Sequence, residues 1–278
     1  QYFDLSGRIV IPGIIDPHVH VSDWLGGRFG HKMLALAGVT TAIDFSGPIQ
    51  GVLKMARDYG AGLNLACINY IRPGHTVGNA DPSPKELENL LLDSLKHGAI
   101  GYKLLGGHYP LTPEATANAI ATANKYKAYV AFHAGTLKSG SNLEGLKEAI
   151  NLAQGNKLHL AHINSYCRGQ IDEPQIESFK ALELLKESPN IVSESYLSPL
   201  NGTSANCKNG IPESRVTRTC LEIGGFSPTK EGLADAIKEG WALINKELGG
   251  INLAVSGNEG LEYWLSMGEK GTVSFPIN

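Results

Sequence analysis

Nine histidines are scattered through the 278 residues, and four of them stand where apolar runs end. His18 and His20 close Asp16-Pro17-His18-Val19-His20, His133 ends the run 129–133, and His162 lies near the end of 158–163. Histidines two residues apart on an extended segment point to one side, so both can reach the same ion. Neutral imidazole suits zinc and related divalent metals. A lone histidine is more often a surface or satisfied core residue than a ligand. Four at equivalent strand ends would need four coincidences, so the set is read as a metal centre. Lys103 is its fifth member, inside Gly101-Tyr102-Lys103-Leu104-Leu105. A lysine in an apolar strand is costly without a partner. Burial near cations lowers its pKa, and a neutral amine can react with carbon dioxide to give a carbamate, an anion able to bridge two metals. The alternative is a lysine that snorkels to the rim.

The elements that must position these residues follow from the patterning. Strands are expected over 10–15, 40–45, 63–71, 100–105, 129–133, 158–163 and 191–196. Helices are expected between them, over 31–37, 50–59, 84–97, 112–126, 143–153 and 174–186. In the third of these, Leu87, Leu90, Leu91 and Leu95 share one face. Strict alternation of strand and helix is the pattern of a parallel sheet. With the chain's length it predicts an α/β fold, a (β/α)8 TIM barrel occupying 1–278 as one domain, since such barrels run to roughly 250 residues. In a barrel the strand ends share one face, where chemistry takes place. Beyond residue 196 the pattern is less regular. Residues 199–228 read as a long polar loop, 230–248 as a helix, and either 251–255 or 272–275 as the eighth strand.

The remaining histidines are read as ordinary. His31, His75, His97 and His108 are assigned no role, and His97 suits the end of a helix. His159, three residues before His162, is expected on the opposite face of its strand as a structural residue. Hydrophobic content of 42% and charged content of 18% allow a large core. A net charge of −3 without a Lys/Arg cluster argues against a nucleic-acid partner. No run approaches the ~18 apolar residues of a membrane span. Cys67, Cys167, Cys207 and Cys220 show no CxxC spacing, which suggests reduced thiols and a cytoplasmic protein.

Several segments resemble the amidohydrolase superfamily. Pro12-Gly13-Ile14-Ile15-Asp16-Pro17-His18-Val19-His20 is similar to its first-strand signature. Ala37-Gly38-Val39-Thr40-Thr41 and Asp44-Phe45 resemble the second strand of dihydropyrimidinases and hydantoinases. Gly101-Tyr102-Lys103 is similar to the segment that bears their carboxylated lysine. Phe132-His133-Ala134 and His159-Leu160-Ala161-His162 resemble the fifth- and sixth-strand ligands. The short spacing between those two segments, and Glu194-Ser195-Tyr196-Leu197-Ser198-Pro199, resemble N-acyl-D-amino-acid deacylases instead.

The resemblance implies a metal-dependent hydrolase of C–N bonds in a small amide, an N-acyl amino acid or a cyclic amide, using a metal-activated hydroxide. It implies two divalent ions, zinc by preference, held by His18, His20, His133, His162 and Lys103 carboxylated by carbon dioxide. Tyr109, Arg215 and Arg218 are the candidates for binding substrate. Family members carry an acid at the end of the eighth strand. Here Ser256-Gly257-Asn258-Glu259 makes Glu259 the nearest candidate. They also carry a small β-sandwich, of which most is expected to be missing. Two other readings stand beside this one: a catalytically impaired barrel serving as a scaffold or binding module, and a lactonase or other ester hydrolase. Self-association into a homo-oligomer is left open.

Overall fold

The computed structural model describes residues 2–23, 27–196, 198, 200–248 and 251–277. Its first part alternates strand and helix in chain order: β1 (Ile14–Val19), α1 (Gly27–Leu36), β2 (Val39–Asp44), α2 (Ile49–Tyr59), β3 (Asn64–Ile71), α3 (Pro84–Lys96), β4 (Gly101–Leu105), α4 (Pro113–Lys125), β5 (Tyr129–His133), α5 (Leu143–Ala153), β6 (Leu158–Leu160), α6 (Pro174–Lys186) and β7 (Ile191–Ser193). The seven strands pair in that order, each parallel to the next. This is a partial (β/α) barrel.

Local chemistry sets the element ends. Ser83 and Thr112 accept hydrogen bonds from the amides of Glu86 and Ala115 at the starts of α3 and α4, and Pro84 and Pro113 occupy the first helical turn. Leu87 and Leu91 of α3 are fully buried, each stabilising the fold by ~1.5–3 kcal/mol of apolar burial.

The period-2 alternation of β4 to β6 decides which side chains meet the interior. Tyr102 and Leu104, Val130 and Phe132, and Leu158 and Leu160 face the helices, in one core with α3 to α6. The alternate residues Lys103, Ala131 and His159 therefore face inward, and the register aligns Lys103 with Ala131 and Ala131 with His159. Leu105 aligns with His133. At Gly101 an added Cβ would lie 1.8 Å from the carbonyl oxygen of Tyr129, so this strand start admits no side chain.

Residues 201–277 depart from expectation. The segment expected to be a loop contains β8 (Asn201–Ser204), β9 (Cys207–Lys208), β10 (Ile211–Pro212) and α7 (Arg215–Ile223). Its polar residues pair with one another: Thr203 Oγ1 lies 2.9 Å from Ser214 Oγ and 3.2 Å from Thr217 Oγ1, and Ser214 caps α7. The expected helix over 230–248 is α8 (Lys230–Glu239) followed by β11 (Leu243–Leu248), because Gly240 takes a left-handed conformation with φ 85°. Neither candidate eighth strand joins the parallel sheet. β12 (Ile251–Val255), α9 (Gly257–Ser266) and β13 (Thr272–Phe275) complete a separate antiparallel sheet of order β12-β11-β13-β8. Hairpin pairing of β11 with β12 is local, and the sheet buries its own core around Trp264, Phe275, Leu233 and Ile237. Among the described residues, β1 and β7 are thus the open edges of the barrel sheet.

Among the described residues, no helix is long and apolar enough to cross a membrane. The four cysteines form no disulfide.

Candidate functional site

The strand ends converge. The rings of His18 and His20 are 5.3 Å apart between centroids, His18 and His162 5.3 Å, and His133 and His162 4.4 Å. Lys103 Nζ lies 3.2 Å from His18 Nε2 and 5.1 Å from the centre of the Phe45 ring. Residues from β1, β4, β5 and the loop after β6 therefore share one space, although they are distant in sequence.

Each is brought there by a local device. The β1–β2 pairing shifts register between Asp16 and Val19, and this irregularity at Pro17 and His18 re-aims the strand end. Asp44, at the end of β2, accepts backbone N–H groups from Val21 at 2.6 Å, Ser46 at 3.1 Å and Gly47 at 2.5 Å, which fixes the two loops around His20. Ser46 Oγ is 3.0 Å from His20 Nδ1. His162 lies beyond β6 with φ 39°, and Tyr166, fully buried, ties the ends of β5 and β6 by accepting from the Ala134 amide at 2.9 Å and donating to Ala161 O at 2.7 Å.

The expectation that His159 faces away from the site is overturned. His159 is buried on the inward face of β6, with Tyr129 OH 2.5 Å from its Nδ1. Strand parity failed as a guide because β6 ends at Leu160, and His162 reaches the interior through its left-handed backbone rather than along the strand. His108, assigned no role in the sequence, packs its ring 5.5 Å from that of His133.

Glu194, just after β7, is the carboxylate of the cluster. Its Oε1 lies 2.6 Å from His18 Nδ1 and 3.3 Å from His159 Nε2, and Oε2 accepts the His162 amide at 2.5 Å. Facing a carboxylate, His18 Nδ1 carries the proton and donates it, leaving the Nε2 lone pair toward Lys103. The deacylase-like segment 194–199 begins with Glu194, but the sequence alone assigns this acid no role.

Electrostatics keep the donors neutral. Burial, reinforced by Lys103, holds His18 well below the ordinary imidazole range. Burial holds His133 and His162 far down as well, with His162 and His18 respectively as the next cause. His20 is an exposed residue, and the protein packed around its ring, with Lys103 and His108, lowers it less decisively than burial lowers the other three. Burial lowers Lys103 to about 8, against the opposing pull of Glu194 and Asp44. The buried His162 Nδ1 has no hydrogen-bond partner.

This donor set is of the kind a divalent cation takes: neutral imidazoles, one with an unsatisfied buried nitrogen, beside a lysine that is readily neutral. The rings do not form a closed ligand shell as placed. Among the described residues no three His, Cys, Asp or Glu side chains converge on one ion position. His133 Nε2 is turned to Ser141 Oγ at 2.7 Å, and His18 Nε2 to Lys103.

A cleft opens beside His133, lined by Ser141, Asn142, Arg168, Gln170, Arg215 and Thr219 among others. Arg215 is therefore at the cleft, with its Nη1 3.4 Å from Ser139 O. Arg218 is not: its guanidinium donates to the carbonyls of Pro212 at 2.5 Å and Glu213 at 3.1 Å, tying down its own loop. Tyr109 lies under the Arg72 guanidinium, 4.2 Å from Cζ to ring centre, and does not line the cleft. Glu259 is in the first turn of α9, largely exposed and ion-paired with Lys246 at 3.0 Å. The strand preceding it pairs in the antiparallel sheet, so Glu259 does not stand at a barrel strand end, and Glu194 is the acid brought to the histidines.

No family model matches the sequence. The chain is 27% identical over 208 residues to an allantoinase of Deinococcus radiodurans, covering 59% of this chain and 45% of the relative. Its structure is similar to that of N-acyl-D-glutamate deacylase from Bordetella bronchiseptica, solved with zinc and a phosphonate inhibitor: TM-score 0.65, 13% identity, 99% of this chain and 62% of the other. It is also similar to D-aminoacylase, described as defining a novel subset of amidohydrolases: TM-score 0.61, 15% identity, 96% of this chain and 60% of the other. The chain thus spans under half the length of the curated relative and about three fifths of the two solved chains. The resemblance carried by the motif from Pro12 to His20 is borne out in the fold, which this chain shares with N-acyl-D-glutamate deacylase and with D-aminoacylase, the latter described as an amidohydrolase.

Proposed function

We propose that this chain is the barrel of a metal-dependent hydrolase that cleaves the C–N bond of a small amide. One observation carries the reading: four histidines whose rings are held uncharged meet, in one space, a buried lysine whose pKa burial has lowered to about 8. His18, His20, His133 and His162 are the proposed ligands of up to two divalent ions, zinc by preference. Lys103, carboxylated on Nζ, is the proposed fifth residue that would hold them. Two relatives in fold support this, one solved with zinc and D-aminoacylase described with a binuclear metal centre. Bound metal would supply a polarised carbonyl and a water acidified toward neutral pH.

The chain's own residues prepare the place. Glu194 fixes the tautomer of His18 and the backbone of His162. Phe45 stacks on His18 at 4.2 Å with Lys103 Nζ over its ring, and burial lowers that amine to about 8, so that a fraction of it is neutral and able to take up carbon dioxide. The cleft beside His133 receives the substrate, an N-acyl amino acid or a cyclic amide, and Arg215 is placed to meet a carboxylate on it.

The test is turnover of N-acyl-D-amino acids and cyclic imides with added zinc or manganese in bicarbonate, for the native chain and for Lys103→Ala. The reading expects hydrolysis by the native chain and a joint loss of metal and activity in the variant. Metal retained without any turnover would favour the scaffold reading. Unchanged metal and activity in Lys103→Ala would remove the carbamate.

A further inference from the structure

Two carboxylates outside the histidine cluster hold the walls of the cleft beside it. Glu177, in the first turn of α6, is fully buried, and among the described residues no cation pairs with it. Its oxygens are met by backbone amides instead. Gly169 N donates at 2.7 Å to one, and Ile171 N at 2.8 Å and Asp172 N at 3.1 Å to the other. A buried carboxylate is costly unless its oxygens are satisfied in this way. All three amides belong to the loop before α6, so the charge holds the loop against the helix rather than merely capping it.

That loop reaches the site. Gln170 Nε2 donates to Ser141 O at 3.2 Å, and Ser141 Oγ lies 2.7 Å from His133 Nε2. From the other side Glu148 of α5 accepts Thr136 Oγ1 at 2.7 Å and Ser139 Oγ, pinning the stretch that leads to Ser141. Hydrogen bonds joined by the backbone of 169–172 and by Ser141 itself thus link Glu177 to the neighbourhood of His133.

We propose that Glu177 is a positioning residue which, through Gln170, fixes the Ser141 wall of the cleft beside His133. On the hydrolase reading above, on which this clause rests, it sets how the cleft receives the part of the substrate beyond the scissile bond and carries no chemistry itself.

The experiment is amide hydrogen exchange on the full chain, for the native protein, Glu177→Gln and Gln170→Ala, with steady-state kinetics alongside. In Glu177→Gln exchange should rise at least about tenfold at 169–172 and also at 139–142, with α3, α4 and β4 unchanged; tenfold corresponds to losing one hydrogen bond to a charged acceptor. Gln170→Ala keeps the buried carboxylate intact and should raise exchange at 139–142 alone. Kinetically, each variant should raise KM about tenfold with kcat within about threefold, and the double variant should add little. A rise confined to 169–172 in Glu177→Gln, no change at 139–142 in Gln170→Ala, or a uniform rise across the chain would overturn the proposal. If the native protein turns over no amide, the hydrolase reading fails, and the exchange pattern still decides whether Glu177 governs the Ser141 wall.

Discussion

Glu194→Gln isolates the contribution of the carboxylate that joins the strand ends. The native side chain accepts two hydrogen bonds, from His18 Nδ1 and from the His162 amide. Hydrogen bonds to a charged acceptor contribute ~1.5–3 kcal/mol each. Glutamine keeps the shape and one carbonyl acceptor, but turns an NH2 toward a second donor, so one bond is lost and the other loses its charge assistance. The side chain is 17% exposed, and water offsets part of the loss. The expected cost to stability without metal is ~1.5–2 kcal/mol, at the lower end of that range. Metal binding should suffer further, because His18 is no longer held in the Nδ1-protonated form. Loss of such an outer carboxylate typically lowers metal affinity ~10–100-fold. Urea unfolding reads the first quantity, and zinc competition against a chromogenic chelator reads the second. A zinc affinity within twofold of the native value, in a variant that remains folded, would refute the argument that Glu194 orients the ligand set.

Three further outcomes are expected. Leu91→Ala, in the fully buried face of α3, should cost ~2–5 kcal/mol in urea unfolding with the slope unchanged. Lys125, Tyr126 and Lys85 hold the Glu88 carboxyl down to about 2. A depressed carboxylate contributes stability above its unfolded pKa of ~4.3, and that contribution is lost as pH falls through the folded value. Glu88→Gln should therefore flatten the fall in melting temperature between about pH 4 and pH 2; equal slopes in both proteins would contradict it. Arg215→Ala should raise KM for carboxylate-bearing amides more than for uncharged ones, whereas Arg218→Ala, remote from the cleft, should not discriminate.

The sequence was most legible where local rules suffice. β5 was read at its true ends, and α3 and α4 were announced by Ser83-Pro84 and Thr112-Pro113. Lys103 was suspect because a charged residue interrupted an apolar strand. The site became obscure where geometry depends on partners far away in the chain. Glu194 stands out only once β7 curls back toward β1. Strand parity carried past the end of β6 puts His159 on the wrong face. The segment 199–228 looked like a loop because its hydroxyls satisfy one another across β8 and α7, a pairing that composition does not reveal. The eighth-strand candidates had adequate β patterning, but Gly240 ends α8 early and leaves β11 to pair with β12 next in sequence. That local pairing drew both candidates, and Glu259 with them, away from the barrel.

The account stands on the gathering of neutral imidazoles from His18, His20, His133 and His162 in one space as the proposed ligands of a divalent ion. Zinc-loaded protein, freed of excess metal, should be examined by X-ray absorption at the zinc edge together with metal counting. The account predicts at least one zinc per chain with a nitrogen/oxygen shell, imidazole scattering from several histidines and no sulfur, the signal weakening in His162→Ala. Sub-stoichiometric zinc, or zinc bound by cysteine sulfur with the spectrum unchanged in His162→Ala, would contradict it.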